Sequence, residues 1–241
     1  VYINYNLKIF NFDKKIESLP FPAYYSSNVF EKKFYDKLCN EFPETHKDDL
    51  ANITFQGNRH RLQKGSKEFE NFINNNLTWN SLNSYLLSIN FEIYVNSIFK
   101  KHELKEINKN NIRTFSIKNK IKTWIRYSKS LSLDISNAGL NYVNKPHYDR
   151  LHRKFVMLLF FSDHNEEGME GGSFKFHKLK NKKNQNDRFA DLNNCDEIAS
   201  FKPKHNSGII FVNSVNSIHS VDIVKKINGI RKFSYIALNY Y

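Results

Sequence analysis

The chain has 241 residues, 40% of them hydrophobic, with 21 Phe and 13 Tyr. That is enough for one sizeable core and argues against a second independent domain. No run of 18 apolar residues exists, so no helical membrane span is expected, and no charged region precedes an apolar stretch at the start, so no secretory signal is expected. Two widely separated cysteines, Cys39 and Cys195, fit a reducing, cytoplasmic compartment better than a disulfide scaffold.

In chain order, Pro20-Phe21-Pro22 is a non-helical entry. Ser27 or Asn28 can cap a helix over Val29–Phe42, with Phe30, Phe34, Leu38 and Phe42 on one face, ended by Pro43. Asp48 to Gly65 is polar and reads as a loop, with Arg59, His60 and Arg61 clustered in it. Ser66 can cap a helix over Lys67–Asn75, Thr78 another from Trp79 to Ser88, and a further helix is expected from Phe91 to His102. Residues 1–111 thus form a mainly helical support.

From Ile112 the period changes to alternation. Strands are expected at Thr114–Ile117, Ile121–Tyr127, Leu131–Ala138 and Leu140–Tyr142, with a bend at Gly139. Phe155–Phe161 is continuously apolar, so a strand buried on both faces. Ser173–His177, Ile198–Phe201, Ile209–Val212, His219–Val224 and Arg231–Tyr240 complete the set. Gly171-Gly172 suits a tight turn, and Leu179 to Asp196 reads as an inserted lid-like loop. About eight late strands fit a double-stranded β-helix, or jelly roll, over residues 112–241.

The chemistry concentrates in His147-Tyr148-Asp149, His219 and Arg231. In extended backbone His147 and Asp149 project to the same side, and Lys145-Pro146 sets that backbone. Two imidazoles and a carboxylate form a three-ligand face that leaves opposite positions on a metal open. His219 must come from another strand. A guanidinium at Arg231 can grip a carboxylate through two parallel hydrogen bonds. Four further histidines, His152, His164, His177 and His205, lack a spaced partner and read as surface residues.

This order resembles the 2-oxoglutarate/Fe(II)-dependent dioxygenase superfamily, on its prolyl 4-hydroxylase-like branch, over Leu131–Tyr241. The resemblance implies an α+β, mainly β fold with the N-terminal helices buttressing one sheet of the barrel. It implies Fe(II) on His147, Asp149 and His219, with 2-oxoglutarate and O₂ as co-substrates, yielding succinate and CO₂ as a substrate C–H is hydroxylated. It also implies that the basic residue of the last strand binds the far carboxylate of 2-oxoglutarate. Arg231 stands two after Gly229, as the family pattern expects. The pattern's Ser two residues beyond is Phe233 here, whereas Ser234 is two beyond Lys232, so Lys232 is a rival. Tyr127, Tyr142 and Tyr235 are candidates to donate a hydroxyl to the co-substrate.

Three functions stay open: hydroxylation of a small molecule, sugar derivative or amino-acid-like group; hydroxylation of prolyl groups in a peptide; and nucleic-acid binding or demethylation. Gly139 lies eight residues before His147, a wider spacing than in the prolyl hydroxylases it resembles. The final strand lacks the second Arg of the nucleic-acid demethylases. The net charge of +13 would suit nucleic acid or an anionic surface. Lys and Asn are scattered throughout, however, which reads as compositional drift and makes a nucleic-acid partner the weaker expectation. Oligomeric state is not legible.

Overall fold

The computed structural model describes residues 9–45, 53–54, 57–99, 130–181 and 188–239. Among them are twelve strands: β1 (Lys14–Lys15), β2 (Ala23–Ser26), β3 (Ile53–Thr54), β4 (Gly57–Gln63), β5 (Ser130–Ala138), β6 (Asn144–His147), β7 (Arg153–Phe160), β8 (Phe174–Leu179), β9 (Cys195–Phe201), β10 (Gly208–Val212), β11 (Ile218–Val221) and β12 (Arg231–Asn239). The helices are α1 (Lys32–Asn40), α2 (Lys67–Asn75), α3 (Leu77–Leu86) and α4 (Ile89–Ile98).

The strands form a major sheet ordered β1-β2-β10-β7-β12-β5-β4-β3 and a minor sheet ordered β6-β11-β8-β9. Among the described residues every strand pairing is antiparallel. The last eight strands interleave between the two sheets, which is the double-stranded β-helix expected from the sequence. Period-two alternation divides the apolar residues into two cores. Leu133, Ile135, Met157, Leu159, Ile210 and Ile236 face outward and pack with Trp79, Leu82, Phe91 and other helical residues. Val156, Leu158, Phe160, Ile209, Phe211 and Phe233 face inward and meet Phe174, Phe176 and Val221 of the minor sheet. The helices therefore buttress the major sheet from outside, and β7, with an apolar residue at nearly every position, is buried on both faces.

Several boundaries differ from the sequence reading. Helix α1 begins at Lys32, not Val29, and no side chain caps it. The approach is instead held by Asn206 of the β9–β10 turn, whose Oδ1 accepts from the Phe30 N–H (2.9 Å) and whose Nδ2 donates to the Phe30 carbonyl (2.8 Å). Thr78 lies inside α3 and is not its cap. Glu41 plays that part from the end of α1: its carboxylate accepts from the Thr78 N–H (2.9 Å) and the Thr78 hydroxyl (2.6 Å), a negative group at a helix N-terminus. Ser66 caps α2 as expected, accepting from the Phe69 N–H at 3.1 Å. Ser88 caps α4, which runs Ile89–Ile98.

Asp48–Gly65 is not all loop, since β4 pairs with β5 along Arg59–Gln63. Its polar residues hid it, because a strand facing a polar cavity shows no apolar alternation. Leu140–Tyr142 is a turn and not a strand: the Tyr142 N–H donates to the Gly139 carbonyl (3.2 Å), and Asn141 sits at φ 66°. Gly171 and Gly172, at φ +77° and +69°, make the expected tight turn. His164 and His177 are buried, contrary to expectation; His177 Nε2 lies 2.7 Å from Ser220 Oγ. The expected strands at 114–117 and 121–127, and with them Tyr127, lie outside the described residues.

Candidate metal and co-substrate site

The site lies between the sheets. His147 ends β6 and His219 lies in β11, and the two are directly paired across the antiparallel ladder. Their ring centroids are 4.4 Å apart. Asp149 follows β6 by two residues and turns to the same side, with His219 Nε2 3.7 Å from its Oδ2. One ligand atom from each of the three lies within 4.8 Å of the others, and all three residues are buried.

The chemistry of this donor set fits a divalent metal. Each imidazole is oriented by its own backbone: Nδ1–H of His147 donates to the Lys145 carbonyl (2.7 Å) and Nδ1–H of His219 to the Ser217 carbonyl (2.9 Å). Both Nε2 atoms are thereby left with lone pairs for coordination. Burial holds both imidazoles below their ordinary pKa, His219 down to about 4 with help from neighbouring His147, so both are neutral at pH 7. Burial alone would raise the Asp149 pKa, but His219, Arg153 and His147 reverse this and hold it below the usual carboxylate value. Neutral imidazoles with an ionised carboxylate are the protonation states a divalent cation needs.

Asp149 is held by two residues. Arg153 Nη1 donates to its Oδ1 at 2.7 Å, and the Tyr235 hydroxyl donates to its Oδ2 at 3.0 Å. Arg153 Nη1 also donates to the Tyr235 oxygen at 2.6 Å. The sequence reading missed Arg153, and the reason is geometric. The β12–β7 register slips by one residue between Leu238↔Phe155 and Asn239↔Arg153. This bulge turns Arg153 toward the cavity, where simple alternation would send it outward with Phe155. Asn213 was missed too. Its buried amide donates to the carbonyls of Asp149, Arg150 and Arg153 at 3.0–3.2 Å, and its Oδ1 accepts from Ser217. One side chain thus ties the Asp149 loop to the turn leading into His219.

The three ligands open onto a cavity of about 310 Å³ that Arg231, Tyr142 and Tyr235 also line. Arg231 is 1% exposed, and burial lowers its pKa to about 10, still charged at pH 7. Its Nε and Nη1 have no hydrogen-bond partner. A buried guanidinium with unmade bonds is costly, and a ligand carboxylate would satisfy it. Lys232 turns to the opposite face, its ammonium 5.7 Å from the Phe42 ring centroid, so it does not share the cavity and is withdrawn as a rival. Tyr142 stands beside Arg231, whose guanidinium carbon is 5.4 Å from its ring centroid. The Tyr235 hydroxyl is engaged by Asp149 and Arg153, so it supports a ligand instead of reaching a co-substrate. The expected lid enters in part: Tyr148 N–H donates to the Arg188 carbonyl and Ala190 N–H to the Pro146 carbonyl. These bonds lay Phe189 against His147 as one more strand-like contact.

Residues 134–239 match the model of the 2OG-Fe(II) oxygenase superfamily. The matched segment contains all three metal-ligand candidates and Arg231. No curated protein sequence matches the chain. Similar solved structures include a 2OG-Fe(II) oxygenase family oxidoreductase from Burkholderia pseudomallei (12% identity, TM-score 0.40, 68% of this chain and 59% of that one). A prolyl 4-hydroxylase from Phytophthora capsici shares 13% identity (TM-score 0.48, 90% and 58%). One from Pseudomonas putida shares 8% (TM-score 0.47, 92% and 94%). The chain spans just under three fifths of the length of the first two.

Proposed function

We infer that this protein is an Fe(II)- and 2-oxoglutarate-dependent dioxygenase that hydroxylates a C–H of a small molecule, sugar derivative or amino-acid-like group. The observation that carries this reading is the convergence of His147, Asp149 and His219 on a cavity that also holds the unsatisfied guanidinium of Arg231. The two Nε2 atoms and one Asp149 oxygen would hold Fe(II) from one side, leaving the cavity side open. Arg231 would bind the far carboxylate of 2-oxoglutarate, with Tyr142 beside it. Bound Fe(II) with 2-oxoglutarate and O₂ supplies the oxidising chemistry, releasing succinate and CO₂. The chain's own part is to position and exclude. Val156, Leu158, Phe160, Phe174 and Phe233 line the cavity with apolar surface and keep water from the reacting groups. Arg153 and Tyr235 fix the Asp149 carboxylate so that its orientation does not depend on the metal.

The test is conversion of 2-oxoglutarate to succinate with O₂ uptake, measured with and without Fe(II). The reading requires iron-dependent succinate formation that Asp149→Ala abolishes. Succinate formation unaffected by removing iron, or none with stoichiometric iron present, would overturn it. The free state of Cys39 and Cys195 supports a cytoplasmic setting.

A further inference from the structure

We propose that the cavity accepts a substrate carrying an oxyanion, a carboxylate or a phosphate, and that an arginine shelf on β4 reads it; this rests on the oxygenase function inferred above. The shelf follows from sheet register. Arg59 and Arg231 both pair with Ala138 of β5, so the two arginines stand in one cross-sheet row. Arg61 and Phe233 both pair with Ser136, and Gln63 and Tyr235 both pair with Asp134, giving two more rows on the same inner face. Residues 59, 61 and 63 therefore continue the cavity floor sideways from the co-substrate arginine to the mouth. This strand lies outside residues 134–239, the segment that matches the superfamily.

Among the described residues that line the cavity, basic groups outnumber acidic ones. Arg59, Arg61, Arg150, Arg153, Arg188 and Arg231 line the cavity, against two carboxylates, Asp134 and Asp149. Arg153 is committed to Asp149, and Arg231 is the one aimed at 2-oxoglutarate. Asp134 is shared between two arginines at longer range: Oδ2 lies 3.5 Å from Arg61 Nη1 and 3.9 Å from Arg59 Nη2. Arg59 is steadied by Ser136, its Nη2 donating to Oγ at 2.8 Å, and lies over the Phe233 ring at 5.1 Å, the same ring that Arg231 approaches at 5.2 Å. The Arg61 side chain is 43% exposed and stands at the mouth, where Gln63 Oε1 accepts from its Nη2 at 2.6 Å and holds it in place. A guanidinium fork presented this way matches a carboxylate or a phosphate face. An incoming oxyanion would meet the Arg61 guanidinium first, at the mouth. The cavity of about 310 Å³ also has to hold 2-oxoglutarate, so the reading end of the substrate is a small acid or one acidic side chain, not a folded surface.

The experiment uses the whole chain loaded with Mn(II), which holds the site without turnover, and saturated with 2-oxoglutarate so that Arg231 is occupied. Two matched pairs are titrated by calorimetry at physiological salt, where diffuse attraction to the basic surface is screened. One pair is N-acetyl-glutamate methylamide and its glutamine counterpart; the other is the phosphoserine and serine equivalents. At least one acidic member is expected to bind about tenfold tighter than its neutral partner, and Arg61→Gln is expected to remove most of that preference. The pair that discriminates identifies carboxylate or phosphate as the group read. Arg150→Gln at the exposed rim provides a second variant with little bearing on folding. Equal affinity within both pairs, no binding of either acid at millimolar concentration, or a preference that survives both variants would overturn the proposal. So would an Arg61→Gln effect that falls equally on 2-oxoglutarate affinity, titrated separately. Failure of Mn(II) or 2-oxoglutarate to bind would instead overturn the oxygenase function itself.

Discussion

Asp149 carries more of the site than either histidine, because it supplies the only negative charge among the three ligands and meets two further groups. Asp149→Ala is expected to abolish stoichiometric iron binding, measured by elemental analysis, and it also leaves the half-buried Arg153 without its nearest counter-charge. Tyr235→Phe is milder. It removes one hydrogen bond from the carboxylate, and loss of such outer-shell support typically costs about 10- to 100-fold in metal affinity. An unchanged iron affinity in Tyr235→Phe would show that Arg153 alone orients the ligand. Arg231→Ala is expected to raise the apparent KM for 2-oxoglutarate roughly a hundredfold, the scale of a lost bidentate charged contact, with iron binding intact. A comparable effect from Lys232→Ala would contradict the inward placement of Arg231, since Lys232 leaves the cavity on the other side of the strand.

At the level of elements, the site depends on three short segments held in register: the end of β6 with its following loop, β11, and the bulged start of β7. Asn213 joins them. Asn213→Ala leaves three carbonyls around Asp149 and Arg153 without their buried donor, a loss of about 1–3 kcal/mol. A lowered denaturation midpoint should therefore come with weaker iron binding, and stability falling alone would mean that the loop keeps its shape without the clamp. These same segments mark where the sequence could be read and where it could not. His147, Asp149 and His219 were legible because a strand's two-residue repeat and a fixed ligand chemistry both leave a mark in the order of residues. Arg153 was not, since a one-residue bulge reverses the side that alternation predicts. The strand β4 was not, because Arg59, Arg61 and Gln63 face a polar cavity and so lack the apolar stripe that reveals a strand. Glu41 as the cap of α3 was invisible for a third reason: the partner is 37 residues away, beyond any local capping pattern.

On the scale of the whole molecule, an aromatic double core encloses a polar, ionisable centre, and the apo protein's stability should report that burial as a function of pH. His219 and His147 are held below the ordinary imidazole value of 6.5 by burial, His219 to about 4. The unfolded chain binds protons at these two positions as pH falls through 6.5, while the folded chain does not take one at His219 until about pH 4. Between those values the unfolded state holds more protons, so stability falls with decreasing pH, at up to about 1.4 kcal/mol per pH unit for each group. Asp149, held below its ordinary value, acts in the same direction at still lower pH, since it too resists the proton that the unfolded chain accepts. Depressed values carry the neutral, ligating form of the imidazoles to lower pH than ordinary values would. The apo protein is therefore expected to show a thermal midpoint nearly flat above about pH 6.5 and declining from there toward pH 4. His219→Asn should lower the midpoint at pH 7 but flatten that decline, because a residue that cannot titrate removes its share of the linkage. Saturating Mn(II) should raise the midpoint most at neutral pH, where the ligands are already free of protons, and progressively less as the solution becomes acid. A decline equally steep in His219→Asn would show that the acid sensitivity comes from elsewhere in the molecule and that His219 is not buried in its neutral form.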